Sequence, residues 1–241
     1  MRSYSSSTPR RCPRAPRLSR PYLLTLALCL SIPLAATACA ESGGRGRGSE
    51  GTQPNGAVTQ DTIVIDEVGY DLGDPDAPII VIEFSDFGCP YCARFALETF
   101  PEIHREYIET GKVYWKYVPF VLGIFPNGDL AALAAECAGE QGADRFWRMH
   151  DELYKEQRAW KSTTTPDVFF SELARRVGLD VGRFEGCFDE RRGAERSRTA
   201  NRLAAYVGVR STPTFIVNGF PVQGALPIDA FRMVLDELSP R

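Results

Sequence analysis

Apolar positions along the chain fall into two kinds of run. Short apolar or alternating runs at residues 63–65 (IVI), 79–84 (IIVIEF), 112–118 (KVYWKYV), 214–217 (TFIV) and 221–222 (PV) predict strands. The run at 79–84 is apolar almost throughout, as a strand covered on both faces is, and Gly73-Asp74-Pro75-Asp76 marks a turn ahead of it. Helical spacing dominates elsewhere. A helix is expected from near Cys89 to about Thr110, kinked by Pro101 and ended by Gly111. Leu130, Leu133, Ala134 and Cys137 recur at helical intervals, and Phe146, Met149, His150, Leu153 and Tyr154 repeat the pattern. Thr165-Pro166 opens another helix, with Phe169, Phe170, Leu173, Ala174 and Val177 on one face and Gly178 at its end. Two more helices are expected near 180–190 and 193–207, and a last at about 227–238 with Ile228, Phe231, Leu235 and Leu238 on one side. The order is β-β-α-β, several helices, then β-β-α: an α/β domain over 61–241 that carries a helical insertion at about 124–207.

The N-terminal part reads differently. Residues 22–38 (YLLTLALCLSIPLAATA) are apolar, and Arg2, Arg10, Arg11, Arg14, Arg17 and Arg20 precede or border them without an acidic residue. Basic residues, a short apolar core and small residues at its end predict an export signal over 1–38. A retained anchor helix is the alternative, although the run is marginal for a span and Pro33 interrupts it. Arg10-Arg11 lies too far from the apolar run to read as a twin-arginine signal. Ala36-Thr37-Ala38-Cys39 resembles a bacterial lipoprotein box, whose cysteine carries lipid; the same small residues also suit ordinary signal peptidase. Residues 39–60 are Gly-, Ser- and polar-rich and cannot bury a core. As a tether they reach roughly 25 Å; without lipid on Cys39 they are a polar leader.

Composition narrows the field. Hydrophobic residues make up 44% of the chain, which sets aside wholesale disorder. Six of the 28 Lys and Arg residues lie in 1–38, so the remainder carries a net charge of about −9 and does not suit nucleic acid as main partner. Of the seven cysteines, Cys12 and Cys29 leave with the signal, and five is an odd number for an oxidising compartment. Lipidation of Cys39 leaves four that can pair.

Cys89-Pro90-Tyr91-Cys92 carries the chemistry. It follows a buried strand and opens a helix, where amide N–H groups without intrahelical partners and the positive dipole end stabilise a thiolate. Cys89 is therefore the expected nucleophile. Cys92, one turn on, is placed to resolve a mixed disulfide, and Pro90 suits the first helical turn. A zinc ribbon would need a second closely spaced pair, and covalent haem a histidine at residue 93, where Ala93 stands. An inert disulfide stays open as a bland alternative.

The string from Val81 to Cys92 (VIEFSDFGCPYC) resembles the active-site segment of DsbA-like proteins of the thioredoxin superfamily, and Ser211-Thr212-Pro213-Thr214-Phe215 resembles that family's cis-proline loop. The resemblance covers about residues 70–238. It implies a thioredoxin fold with an inserted helical subdomain and thiol:disulfide exchange with no cofactor and no metal. It implies a cis bond at Pro213 beside Cys89, and backbone at Thr212 that pairs with an extended substrate next to Pro90 and Tyr91. Glu83, a costly carboxylate in an apolar strand, matches a family glutamate implicated in proton transfer to the second cysteine; exposure on an edge strand is the alternative. Strongly oxidising members often have His where Tyr91 stands, so weaker oxidising power is expected. Some relatives bond the cysteines of the insertion, which would pair Cys137 with Cys187; two buried free thiols are the alternative. His150 is expected in the core, and His104 too far along the helix to reach Cys89. The implied partners are reduced or unfolded exported proteins and a membrane redox partner for reoxidation, in a monomer of the cell envelope held by a lipid anchor. The rivals are a disulfide reductase or isomerase, and a tethered binding or chaperone lipoprotein with an inert disulfide.

Overall fold

The computed structural model describes residue 65 and residues 68–238. The expected export signal, Cys39 and the tether lie outside the described residues. The sheet is built around β2 (Ile79–Ser85), which pairs in parallel with β3 (Val113–Pro119) and antiparallel with β4 (Thr214–Val217). β1 (Tyr70–Leu72) lines the outer edge of β3 and β5 (Phe220–Gln223) that of β4, giving the order β1-β3-β2-β4-β5.

The first strand is displaced from its expected place at 63–65. Ile65 lies in a helical turn, Ile63 and Val64 fall outside the described residues, and the strand is Tyr70–Leu72. Gly69 sets its start. A Cβ there would lie 2.3 Å from the Tyr117 carbonyl oxygen, and the backbone has φ +76°, so glycine alone lets the chain come in against β3. Three residues with an aspartate between two apolar ones are too short to show a period.

A parallel pair needs a crossover, and the helix that opens at Cys89 supplies it. α1 (Pro90–Arg94) runs through a π-helical turn (Phe95–Thr99) into α2 (Phe100–Ile103) and a second π turn (His104–Ile108). Pro101 has no N–H for the carbonyl one turn back. The helix widens just ahead of it, with the Phe100 N–H donating to the Phe95 carbonyl, and so passes the proline without ending.

Six helices stand between β3 and β4: α3 (Gly128–Gly139), α4 (Ala143–Lys155), α5 (Gln157–Ser162), α6 (Pro166–Arg176), α7 (Val181–Asp189) and α8 (Ala194–Tyr206). α9 (Ile228–Leu238) follows β5. On one face of the sheet Val81, Trp115 and Phe215 pack with Phe95, Phe100, Phe231 and Leu235 in a continuous aromatic core. On the other, Phe84 and Val118 meet Ala200, Leu203 and Ala204 of α8. Side chains alternate along a strand, so Val81, Glu83 and Ser85 share the α1 face while Phe84 points to α8. His150 is buried among Phe87, Tyr117, Trp147 and Tyr154.

Cys137 of α3 and Cys187 of α7 are joined by a disulfide, with Cα atoms 5.7 Å apart and both residues buried. Exchange requires a thiolate to reach a sulfur. This bridge is therefore expected to survive a mild reductant that keeps Cys89 and Cys92 as thiols. Peptide mapping after such treatment checks it, and free thiols at 137 and 187 would contradict it.

Candidate active site

β2 ends at Ser85 and three residues lead to Cys89, the N-cap of α1, with Pro90 in the first turn. The short loop is held from several sides. Asp86 accepts the Gly88 N–H at 2.8 Å through one carboxylate oxygen and the Leu122 N–H at 2.7 Å through the other. A Cβ at Gly88 would fall 2.4 Å from the Phe125 Cβ, so glycine is what lets Phe125 close over the loop. From α5, Gln157 donates to the carbonyls of Phe87 (2.6 Å) and Cys89 (2.9 Å). Lys161 donates to the Gly88 carbonyl at 2.7 Å, with its ammonium 4.8 Å from the centre of the Phe125 ring. The Phe87 and Gly88 carbonyls are thus paired by side chains, while the Cys89 carbonyl also accepts the Ala93 N–H at 3.1 Å as the helix opens.

Cys89 and Cys92 are both thiols in this structure. Both residues are buried, Cys89 at 4% exposure and Cys92 fully. Their acidities are pushed apart. The Cys89 thiol is lowered to about 6, chiefly because the Cys92 thiol donates to its sulfur; burial opposes this, and Thr212 and the N–H groups of Cys92 and Tyr91 reinforce it. Burial, with the adjacent Cys89 sulfur, pushes Cys92 well above the ordinary thiol range. At pH 7 the pair is a thiolate in front and a thiol behind.

The Thr212–Pro213 peptide bond is cis, and the Cys89 sulfur lies 3.5 Å from the Thr212 carbonyl oxygen. A carbonyl accepts from the thiol but offers nothing to the thiolate. The Thr212 hydroxyl is buried and without a partner while Cys89 is protonated, yet Thr212 favours the ionised form. Donation from this hydroxyl to the thiolate satisfies both observations. Thr212→Val is expected to raise the Cys89 pKa by roughly one unit, the worth of about 1.4 kcal/mol. Iodoacetamide alkylation of Cys89 against pH checks it; an unmoved midpoint would remove the hydroxyl from the account.

Glu83 stands on the central strand and is 2% exposed. Ser85 donates to its Oε1, and the Trp115 indole N–H to its Oε2 at 3.1 Å. Burial outweighs both bonds and pushes the carboxyl up to about 7. The carboxyl can therefore hold or release a proton near neutral pH.

Of the residues singled out from sequence, Cys89, Cys92, Glu83, Pro90, Tyr91, Thr212 and Pro213 gather at this one end of the sheet, and Tyr91 is 58% exposed with its ring under Arg94. Cys137 and Cys187 form a separate bridge in the inserted helices. Among the described residues, no group of three or more His, Cys, Asp or Glu is arranged to hold a metal ion. The sequence reading missed Ser85, Asp86, Trp115, Gln157 and Lys161. Asp86, two residues before Gly88, carries the local signature of an Asx turn; Gln157 and Lys161 reach the loop from about 70 residues away and carry no local sign.

Comparison with known proteins places this arrangement. A family model described as "Thioredoxin" matches residues 66–237. The crystal structure of oxidised BdbD from Bacillus subtilis superposes with a TM-score of 0.66 at 26% identity, covering 73% of this chain and 94% of that one. The probable disulfide bond formation protein D of Bacillus anthracis is 31% identical over 150 residues, 61% of this chain and 69% of that protein. The Na(+)/H(+) antiporter NhaA 3 of Salinispora tropica is 37% identical over 158 residues, but the match spans only 23% of that longer protein. The inserted helices on a thioredoxin-like sheet are shared with the BdbD structure. The chain belongs to the DsbA-like disulfide oxidoreductases of the thioredoxin family.

Proposed function

We propose that this disulfide oxidoreductase works as an oxidase, passing a disulfide held by Cys89 and Cys92 to reduced or unfolded exported proteins outside the cytoplasm. The observation that supports this direction is the split acidity of the pair. A Cys89 thiolate stable at neutral pH favours the reduced enzyme, and an enzyme whose reduced form is stabilised is an oxidant. With Cys89 at about 6, ionisation at pH 7 favours the dithiol by about 1.4 kcal/mol over an ordinary thiol, worth roughly 30 mV.

In this reading the substrate thiolate attacks the Cys89 sulfur, Cys92 leaves and later resolves, and Glu83 exchanges a proton with Cys92. The cis Thr212-Pro213 backbone pairs with the extended substrate. Exposed Tyr91, together with Ile124 (73% exposed) beside Phe125, offers apolar contact suited to unfolded chains. A membrane redox partner reoxidises the pair, and lipid on Cys39 keeps a monomer at the envelope. Turnover tests the direction. The full mature chain, supplied with glutathione disulfide, should reoxidise and reactivate a reduced, unfolded ribonuclease, and should reduce insulin poorly with dithiothreitol. Efficient insulin reduction without ribonuclease oxidation would favour the reductase instead.

A further inference from the structure

The acid–base partner and the sulfur it serves are joined by a third side chain. Glu83 and Ser85 lie two residues apart on β2 and so face α1 together. Ser85 is fully buried, its hydroxyl donates to Glu83 Oε1, and it stands close enough to Cys92, itself fully buried, to favour the Cys92 thiolate. The other carboxylate oxygen is held by the Trp115 indole, which donates and cannot accept. A serine hydroxyl does both. We propose that the Ser85 hydroxyl is the relay through which Glu83 and Cys92 exchange a proton during disulfide exchange.

The step balances as follows. A substrate thiolate attacks Cys89 Sγ and a new S–S bond forms there. The bond between Cys89 and Cys92 breaks, its electron pair staying on Cys92 Sγ. Ser85 gives its proton to that sulfur while taking one from the Glu83 carboxyl. The products are a mixed disulfide on Cys89, a Cys92 thiol and a Glu83 carboxylate, and reoxidation runs the same transfers backwards. The other titratable groups around the site are Cys89 at the N-cap of α1, Tyr117 on β3, His150 and Tyr154 on α4, Lys161 on α5 and Asp86 in the loop; His150 packs edge-on against Phe87, Tyr117 and Tyr154, and Lys161 donates to the Gly88 carbonyl. Tyr117 and Tyr154 hydrogen-bond each other at 2.8 Å, and both phenols are held neutral by burial, so neither titrates near pH 7. Asp86 accepts two backbone N–H groups and bonds neither Glu83 nor Ser85 among the described contacts.

This inference rests on the reading that Glu83 is the proton partner of Cys92, and the test separates the two. The oxidised full chain is mixed with a reduced peptide thiol, and the rate of the first exchange is followed by tryptophan fluorescence from pH 5 to 9 in water and in deuterium oxide. Ser85→Val and Ser85→Thr match in size and differ in the hydroxyl; Ser85→Ala and Glu83→Gln complete the set. Wild type and Ser85→Thr should show an inflection near pH 7 and a solvent isotope effect. Ser85→Val and Ser85→Ala should lose both, with rates reduced about tenfold to a hundredfold. Adding Glu83→Gln to Ser85→Ala should slow the step no further. A merely structural serine predicts slower variants that keep the inflection and the isotope effect, and that result would overturn the relay while leaving Glu83 in place. If Glu83→Gln keeps the wild-type inflection, the proton partner is misassigned and the relay falls with it.

Discussion

Cys89→Ser is expected to abolish disulfide exchange, by a factor on the order of a thousand or more, while the fold is retained. A serine hydroxyl does not ionise near neutral pH, and among the described residues no second thiolate is available: Cys92 is fully buried and held protonated, and the other described cysteines are bonded to each other. Cys92→Ser should behave differently. Cys89 keeps its place at the helix start, Thr212 and the helix amides, so it should still attack a substrate disulfide, but nothing follows to resolve the product. Mixed disulfides through Cys89 should accumulate and appear on a non-reducing gel. Loss of the Cys92 thiol also removes the largest cause of the low Cys89 pKa, so the midpoint of Cys89 alkylation should rise above about 6. Comparable exchange rates in both variants would remove the distinction between the two cysteines.

Glu83→Gln is expected to stabilise the protein and slow it. The folded-state pKa is raised from the ordinary 4.5 to about 7, so the folded protein binds this proton more tightly than the unfolded chain does. The contribution to stability is fully present below about pH 4.5 and is lost as pH rises through 7. Above that, a buried charge is carried at a cost of roughly 3 kcal/mol, which glutamine does not incur. Glutamine keeps one acceptor for Ser85 or Trp115 and loses the other, which trims the gain. Urea unfolding should thus show the variant ahead by about 2 kcal/mol at pH 8 and no more stable than wild type at pH 4.5. Exchange should meanwhile slow by about a hundredfold. A variant less stable than wild type at pH 8 would mean that the carboxylate is compensated in the folded state.

The two cysteines and their helix were legible because every signal is local: an apolar strand, a short loop, and Cys-Pro at a helix start. Glu83 stood out because a carboxylate in an apolar strand demands a reason. The rest was hidden for physical causes. β1 is too short for a period to show, and its position depends on how closely Gly69 approaches Tyr117. The π turns around Pro101 are settled by which carbonyl each N–H reaches, and composition does not record that. α5 sits one residue after α4, so its pattern merges with its neighbour's, and with it the role of Gln157 and Lys161 in pinning the Gly88–Cys89 backbone was lost. Ser85 reads as an ordinary strand-end polar residue until the structure shows what its hydroxyl touches.

The most direct test of the oxidase account is the equilibrium reduction potential of the Cys89 and Cys92 pair, measured against glutathione at pH 7 on the full mature chain with Cys137 and Cys187 bonded. The stabilised thiolate predicts a value above about −200 mV, on the oxidising side of thioredoxin-like reductases, with Tyr91 keeping it below the strongest oxidases. A value at or below about −250 mV would place the pair among the reductants and contradict the account.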